Sequence, residues 1–255
     1  MAERAPEMFA QLGADAMRLF EHGNRAECRP LAHGAIALSG QTAADLNMIF
    51  LSRDASREEF AESLEAVRLK AVDTILVVEE EADAVQEWAA EAGLHEVGQM
   101  PLMERHAGEV SPASDFVVRL GSAKDMNQAM HLAAAAFSLG EAASVAAMPS
   151  TFLEVEGNDL WLAEEQGEPI GIGVFIRTGE HVGVYTMGTP PPHQRRGIGG
   201  AILNSAMAHY QERGVKRFTL GATEKGYSLY ERVGFQVITM PHVYVIGAST
   251  QFPAS

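Results

Sequence analysis

Val182-Gly-Val-Tyr-Thr-Met-Gly-Thr-Pro-Pro-Pro-His-Gln-Arg-Arg-Gly-Ile-Gly-Gly-Ala-Ile-Leu-Asn204 reads as a strand, a proline-punctuated loop and the beginning of a helix. Glycines stand where the loop becomes helix. The first helical turn has backbone N–H groups with no partner and a partial positive charge, so a pyrophosphate can bind there if no side chain obstructs it. Gly197, Gly199 and Gly200 leave that approach open, and Arg195 and Arg196 add positive charge to it. Further on, Leu203, Ala206, Met207 and Tyr210 recur at helical spacing and predict a buried face against a sheet, with Gly214 as C-terminal cap. Other phosphate motifs do not fit. A P-loop needs Gly-Lys-Ser/Thr, and a dinucleotide fingerprint needs a third glycine where Ile202 stands. Nor is Gly226-Tyr-Ser-Leu-Tyr230 a hydrolase elbow, because it lacks the closing glycine.

Outward from this stretch, the pattern predicts strands at 116–120, 160–164, 169–177, 182–187 and 216–220, helices around 124–138, 144–153 and 197–213, a short helix ending at Val233, and a last strand from Phe235. The segment 108–115, rich in Gly, Ser and Pro, reads as a linker, with a boundary near Pro112. Before it, helices are predicted at 9–20, 56–70 and 83–92, and strands at 35–38, 47–51, 74–79 and 96–105. Glu91-Ala-Gly-Leu-His-Glu-Val-Gly-Gln-Met-Pro101 echoes Arg232-Val-Gly-Phe-Gln-Val-Ile-Thr-Met-Pro241, which a duplicated domain explains. The first copy has Ala89 where the second has Tyr230, and it has nothing like Gln194 to Gly200. Chemistry is therefore expected in the second half.

Gln194-Arg-Arg-Gly-Ile-Gly199 resembles the Gln/Arg-x-x-Gly-x-Gly/Ala signature of the GCN5-related N-acetyltransferases (GNAT). Leu229-Tyr-Glu-Arg-Val-Gly-Phe235 resembles that family's Leu-Tyr-Glu-Lys-Leu-Gly-Phe segment at about the expected separation. The resemblance covers roughly Phe116 to Ile246. It implies an α/β (α+β) fold of two GNAT-like domains, each a mixed central sheet flanked by helices: 1–112 degenerate and without a cofactor loop, 113–255 catalytic. The implied reaction is acyl transfer, usually acetyl, from acetyl-CoA to a primary amine by direct attack in a ternary complex. No metal is required. A silent acyl-CoA sensor or scaffold is the rival.

By family position, Met187, Gly188 and Thr189 pair with the pantetheine arm of coenzyme A, and the N–H of Met187 meets the thioester carbonyl. Gln194, Arg195, Arg196, Gly197, Ile198, Gly199 and Gly200 are then the diphosphate loop. Thr223 stands where many members have an asparagine that contacts the cofactor, and it also suits a helix cap. Tyr230 is the expected general acid for the departing thiolate, with Tyr227 as the packing tyrosine of the pair. The strand carboxylate that some members use as base would fall on Gly183, so His181 is the first choice for that role and Tyr185 the second. Trp161 is expected in the core, and His193 and His209 in solvent.

Composition sets the outer bounds. The 255 residues carry 34 acidic against 19 basic side chains, a formal charge of −15 that makes a nucleic acid a poor partner and mildly favours cationic small molecules. A small-molecule or peptide amine is the expected acceptor, and the resemblance leaves a homodimer open. Cys28 is the single cysteine, so no internal disulfide forms and a reducing cytoplasm fits. Neither a signal peptide nor a membrane span is expected.

Overall fold

The computed structural model describes residues 4–110 and 115–248. Pro112, the boundary read from the linker, lies outside the described residues. The chain separates into two compact units, one comprising Met1–Leu102 with Ile238–Ser255, the other Met103–Val237.

In the first unit the order is α1 (Arg4–Phe20), β1 (Glu27–Leu31), β2 (Gly34–Leu38), β3 (Asn47–Leu51), α2 (Arg57–Lys70), β4 (Thr74–Val78), α3 (Asp83–Glu91) and β5 (Glu96–Gln99). Its sheet runs β1-β2-β3-β4-β13-β5, where β13 (His242–Ile246) comes from the end of the chain. One face is covered by α2 and α3, whose Phe60, Leu64, Val67, Val85 and Ala89 pack on Ile36, Leu38, Ile49, Leu51, Leu76 and Val78. On the other face, α1 approaches β2 and β3 so closely that a Cβ on Gly13 would lie 3.1 Å from the Cβ of Ala35.

The second unit contains β6 (Leu102–His106), β7 (Val117–Leu120), α4 (Met126–Phe137), α5 (Glu141–Ala147), β8 (Asn158–Glu165), β9 (Glu168–Thr178), β10 (His181–Gly188), α6 (Ile198–Gln211), β11 (Arg217–Gly221), α7 (Glu224–Arg232) and β12 (Gln236–Thr239). Seven strands form one mixed sheet in the order β12-β6-β11-β10-β9-β8-β7. The predicted face of α6 is the buried one: Leu203, Ala206, Met207 and Tyr210 join Phe175, Val182, Val184 and Phe218 in the core. Gly214 follows that helix at φ +84°, a conformation a side chain would strain. Trp161 lies in the same core, as expected. His209 is only partly exposed to solvent. It stacks edge-on to Trp161 at 5.1 Å, and burial lowers its pKa.

Two predicted strands are each broken in two. The stretches 96–105 and from 235 onward both part at a Met-Pro pair, Met100-Pro101 and Met240-Pro241, since proline has no N–H to continue a ladder. At each break the chain changes sheets. β6 enters the second sheet between β12 and β11, and β13 enters the first between β4 and β5. Strand β13 is antiparallel to both neighbours, with Tyr244 opposite Leu76 of β4 and Glu96 of β5.

Candidate active site

The two units share the local order strand, helix, parallel strand, helix, and they differ in how far the parallel strands stay together. In the first unit β3 pairs with β4 from Met48↔Ile75 to Leu51↔Val78, to the end of both strands. In the second, β10 pairs with β11 only from His181↔Arg217 to Gly183↔Thr219, although β10 runs on to Gly188. The strands separate beyond Gly183, leaving the β11-facing edge of β10 open over Met187 and Gly188.

On its other side β10 pairs with β9, and the register slips between Tyr185 and Gly188. The slip sits at Thr186, whose φ is +46°. Two glycines of β9 let neighbouring elements close over the slip. A Cβ on Gly173 would lie 2.5 Å from the Met187 sulfur and 2.8 Å from Cε2 of Phe175; one on Gly171 would lie 2.5 Å from Cγ2 of Ile198, the first residue of α6. Gly188 faces α4, with its Cβ position 3.1 Å from the Cβ of Ala136. At the far end of α4, Arg119 of β7 binds Asp125 at 2.8 Å and Glu164 of β8 at 2.7 Å. The Arg119 hydrogen bond holds the Asp125 carboxyl well below the usual carboxylate range.

Because the Gly171 contact is with the branched γ-carbon of Ile198, which has little freedom to move, Gly171→Ala is expected to displace the first turn of α6. The cost should be about 1–3 kcal/mol, read as a lowered Tm, together with weaker coenzyme A binding measured by calorimetry.

After β10, the prolines form a single 3-10 turn at Pro191–His193. Gln194 folds back, its Nε2 donating to the Thr189 carbonyl at 3.0 Å, so it braces the loop from within. Arg195 takes φ +65° and is exposed, with no ion pair or hydrogen bond among the described residues. Gly197 is the N-cap of α6 at φ +86°, with no side-chain cap, and space is open where its Cβ would be. The N–H groups of Ile198, Gly199 and Gly200 precede the first possible i−4 acceptor and are not claimed by a cap. The equivalent turn in the first unit is closed. There Ser56 caps α2 in a capping box with Glu59, placing a carboxylate over the N-terminus.

Several expectations need correction. Gly199 is small because α7 is near: its Cβ would lie 2.9 Å from Cδ2 of Leu229, so packing accounts for it rather than anion access. Gly200 has ordinary room, 3.7 Å from Leu229. Arg196 is not a free cation, since it pairs with Glu165 of β8 and lies over the Phe116 ring at 5.5 Å. His193 is beside it, Nδ1 at 3.3 Å. Thr223 caps α7, its hydroxyl accepting from the N–H of Gly226 at 3.2 Å, which accounts for that residue without a cofactor.

His181 lies at the wrong end of its strand for a base. It pairs with Arg217 where the β10–β11 ladder is closed, it is 7% exposed, and its Nε2 is 2.6 Å from the Thr219 hydroxyl. At about 3.3 Å per residue, β10 puts it roughly 20 Å from Met187.

Both tyrosines of α7 pack against the core, Tyr227 as expected and Tyr230 more deeply. Tyr230 is the buried one, 8% exposed, with its ring edge-on to Phe235 at 6.0 Å and against Gly226, whereas Tyr227 is only partly buried. Its hydroxyl makes no hydrogen bond among the described residues, and burial pushes the phenol pKa up to about 12. Sequence reasoning missed Thr186, whose only signal was its place between Tyr185 and Met187 before a glycine.

An α/β unit with parted parallel strands, followed by an uncapped helix start, is an architecture for holding an extended ligand ending in an anion. Residues 156–237 match the family model described as an acetyltransferase (GNAT) domain. The matched residues all lie within the second unit. Over 81 residues the chain is 33% identical to the mycothiol acetyltransferase of Propionibacterium freudenreichii subsp. shermanii, a match covering 31% of this chain and only 22% of that protein's length. The chain superposes on a GCN5-related N-acetyltransferase from Kribbella flavida with a TM-score of 0.67 at 16% identity, covering 94% of each chain. A tandem GNAT protein from the clavulanic acid biosynthesis pathway superposes with a TM-score of 0.57 at 13% identity, over 98% of this chain and 96% of that one. The fold is thus that of the tandem GNAT structures. Among the described residues, no helix is long and apolar enough to cross a membrane.

Proposed function

We propose that this chain transfers an acyl group, acetyl first, from coenzyme A to a primary amine, using the second unit alone. What supports this reading above all is the contrast in strand pairing: β10 leaves β11 after Gly183, while β3 and β4 of the other unit stay paired to their ends. An open strand edge accepts an extended amide-bearing arm as it would another strand. The uncapped start of α6 takes the diphosphate through the N–H groups of Ile198, Gly199 and Gly200, with the exposed Arg195 as its counter-charge. Gln194 holds the loop in shape, and Arg196 ties it to β8.

In the reaction, the lone pair of the neutral amine forms the new N–C bond as the carbonyl π pair moves onto oxygen, where the N–H of Met187 donates. Return of that pair breaks the C–S bond. The Tyr230 hydroxyl donates to the departing sulfur, and the nitrogen's extra proton leaves to water.

A thermal-shift series tests the binding step. Coenzyme A is expected to raise Tm more than ATP or NAD at equal concentration, and a larger rise with either nucleotide overturns the reading. Thiol release from acetyl-CoA across a panel of primary amines then tests the chemistry. Gly183, where a carboxylate base would stand, favours a second reading: a silent acyl-CoA sensor. Tight coenzyme A binding without thiol release from any amine would select it.

A further inference from the structure

Thr186 is the least comfortable residue of β10. Five non-glycine residues of the described chain have positive φ, and Thr186 is the one with a branched β-carbon, at +46°. Branching crowds the backbone there, so the conformation is strained, and glycine or asparagine would adopt it more easily. Strain of this kind persists where the surroundings impose it, and it concentrates at functional sites. Nothing among the described residues explains the choice of threonine. The residue is half-buried, and its hydroxyl makes no hydrogen bond among the described residues. Its place in the strand is specific as well: it lies beyond Gly183, where pairing with β11 has stopped, and immediately before Met187.

We infer that the Thr186 hydroxyl is a second hydrogen-bond donor to the thioester carbonyl oxygen, beside the backbone N–H of Met187. This rests on the acyl-CoA reading of the same site. Thr186 lies within the slip in register and directly precedes Met187, so a side-chain donor and a main-chain donor are neighbours where pairing with β11 has stopped. Two donors aimed at the carbonyl oxygen stabilise the negative charge that grows there as the amine adds. A hydroxyl at a strained position serves this use, whereas glycine would relieve the strain and lose the donor.

The test needs no acceptor. Isotope-edited infrared spectroscopy of [1-13C]acetyl-CoA bound to the protein reads hydrogen bonding at the thioester oxygen as a fall in carbonyl frequency relative to the free molecule. Thr186→Val keeps the branched β-carbon and removes the donor; Thr186→Ser keeps the donor. The expected result is that the valine variant loses part of the frequency shift, the serine variant retains it, and both bind coenzyme A, which has no carbonyl at this position, with the wild-type Kd. An unchanged shift in a valine variant that still binds coenzyme A overturns the inference. Should the valine variant not fold, Thr186→Gly serves instead, since it accepts the positive φ and also lacks the hydroxyl. A wild-type protein that fails to bind coenzyme A at all overturns the acyl-CoA reading, and with it this inference.

Discussion

Replacing Arg195 by glutamate raises the apparent KM for acetyl-CoA about 10- to 100-fold, the factor corresponding to losing one hydrogen bond to a charged group. The same change at Arg196 has a smaller effect on KM. The difference follows from their surroundings, because Arg196 is paired with Glu165 and stacked on Phe116, while Arg195 is exposed and unpaired among the described residues. Reversing Arg196 sets two carboxylates against each other and loosens the loop, whereas reversing Arg195 changes the charge offered to a diphosphate and little else. Arg195→Gly separates charge from conformation. It removes the cost of φ +65°, about 1 kcal/mol, and adds a similar amount of unfolded-state entropy. Tm should therefore stay close to wild type while KM still rises. Steady-state kinetics and a melting curve on these three variants check the expectation. Equal KM effects at the two arginines would return the diphosphate contact to Arg196.

The loop was legible in the sequence because glycine and proline fix backbone geometry locally: Gly197 at φ +86° and the proline turn at Pro191–His193 follow from residue identity. The role of Arg196 was not, since Glu165 is supplied by a strand thirty-one positions away and nothing local announces it. Strand parity correctly put His181 on the same face as Gly183, yet parity is silent about distance along the strand and about where the β11 ladder closes. β1 escaped notice because Glu27-Cys-Arg-Pro-Leu31 has neither alternation nor a free N–H at Pro30, features of an edge strand. The exchange of β6 and β13 lies deeper still. Met100-Pro101 and Met240-Pro241 mark where a strand must stop, but which sheet accepts the next strand is a long-range choice that a local pattern does not encode.

Tyr230→Phe is expected to lower kcat about 100-fold, within the usual range for a positioned proton donor. KM for acetyl-CoA and Tm should change little, because the hydroxyl has no protein partner to lose. The pH profile says what kind of donor it is. Burial raises the phenol to about 12, so it is protonated across the working range, and ionisation of Tyr230 does not cut into activity on the alkaline side until well above pH 10. A phenol that weakly acidic does not hand its proton fully to a thiolate whose conjugate acid titrates near 8.5. Its contribution is a hydrogen bond to the leaving sulfur that strengthens as charge accumulates, with the thiol proton arriving later from water. The ratio of wild-type to Tyr230→Phe kcat should accordingly stay flat between about pH 6 and 10. A ratio that collapses toward one near pH 8 or 9 would mean that the proton itself is transferred from a group titrating there, and would require a phenol much less buried than 8% exposure allows.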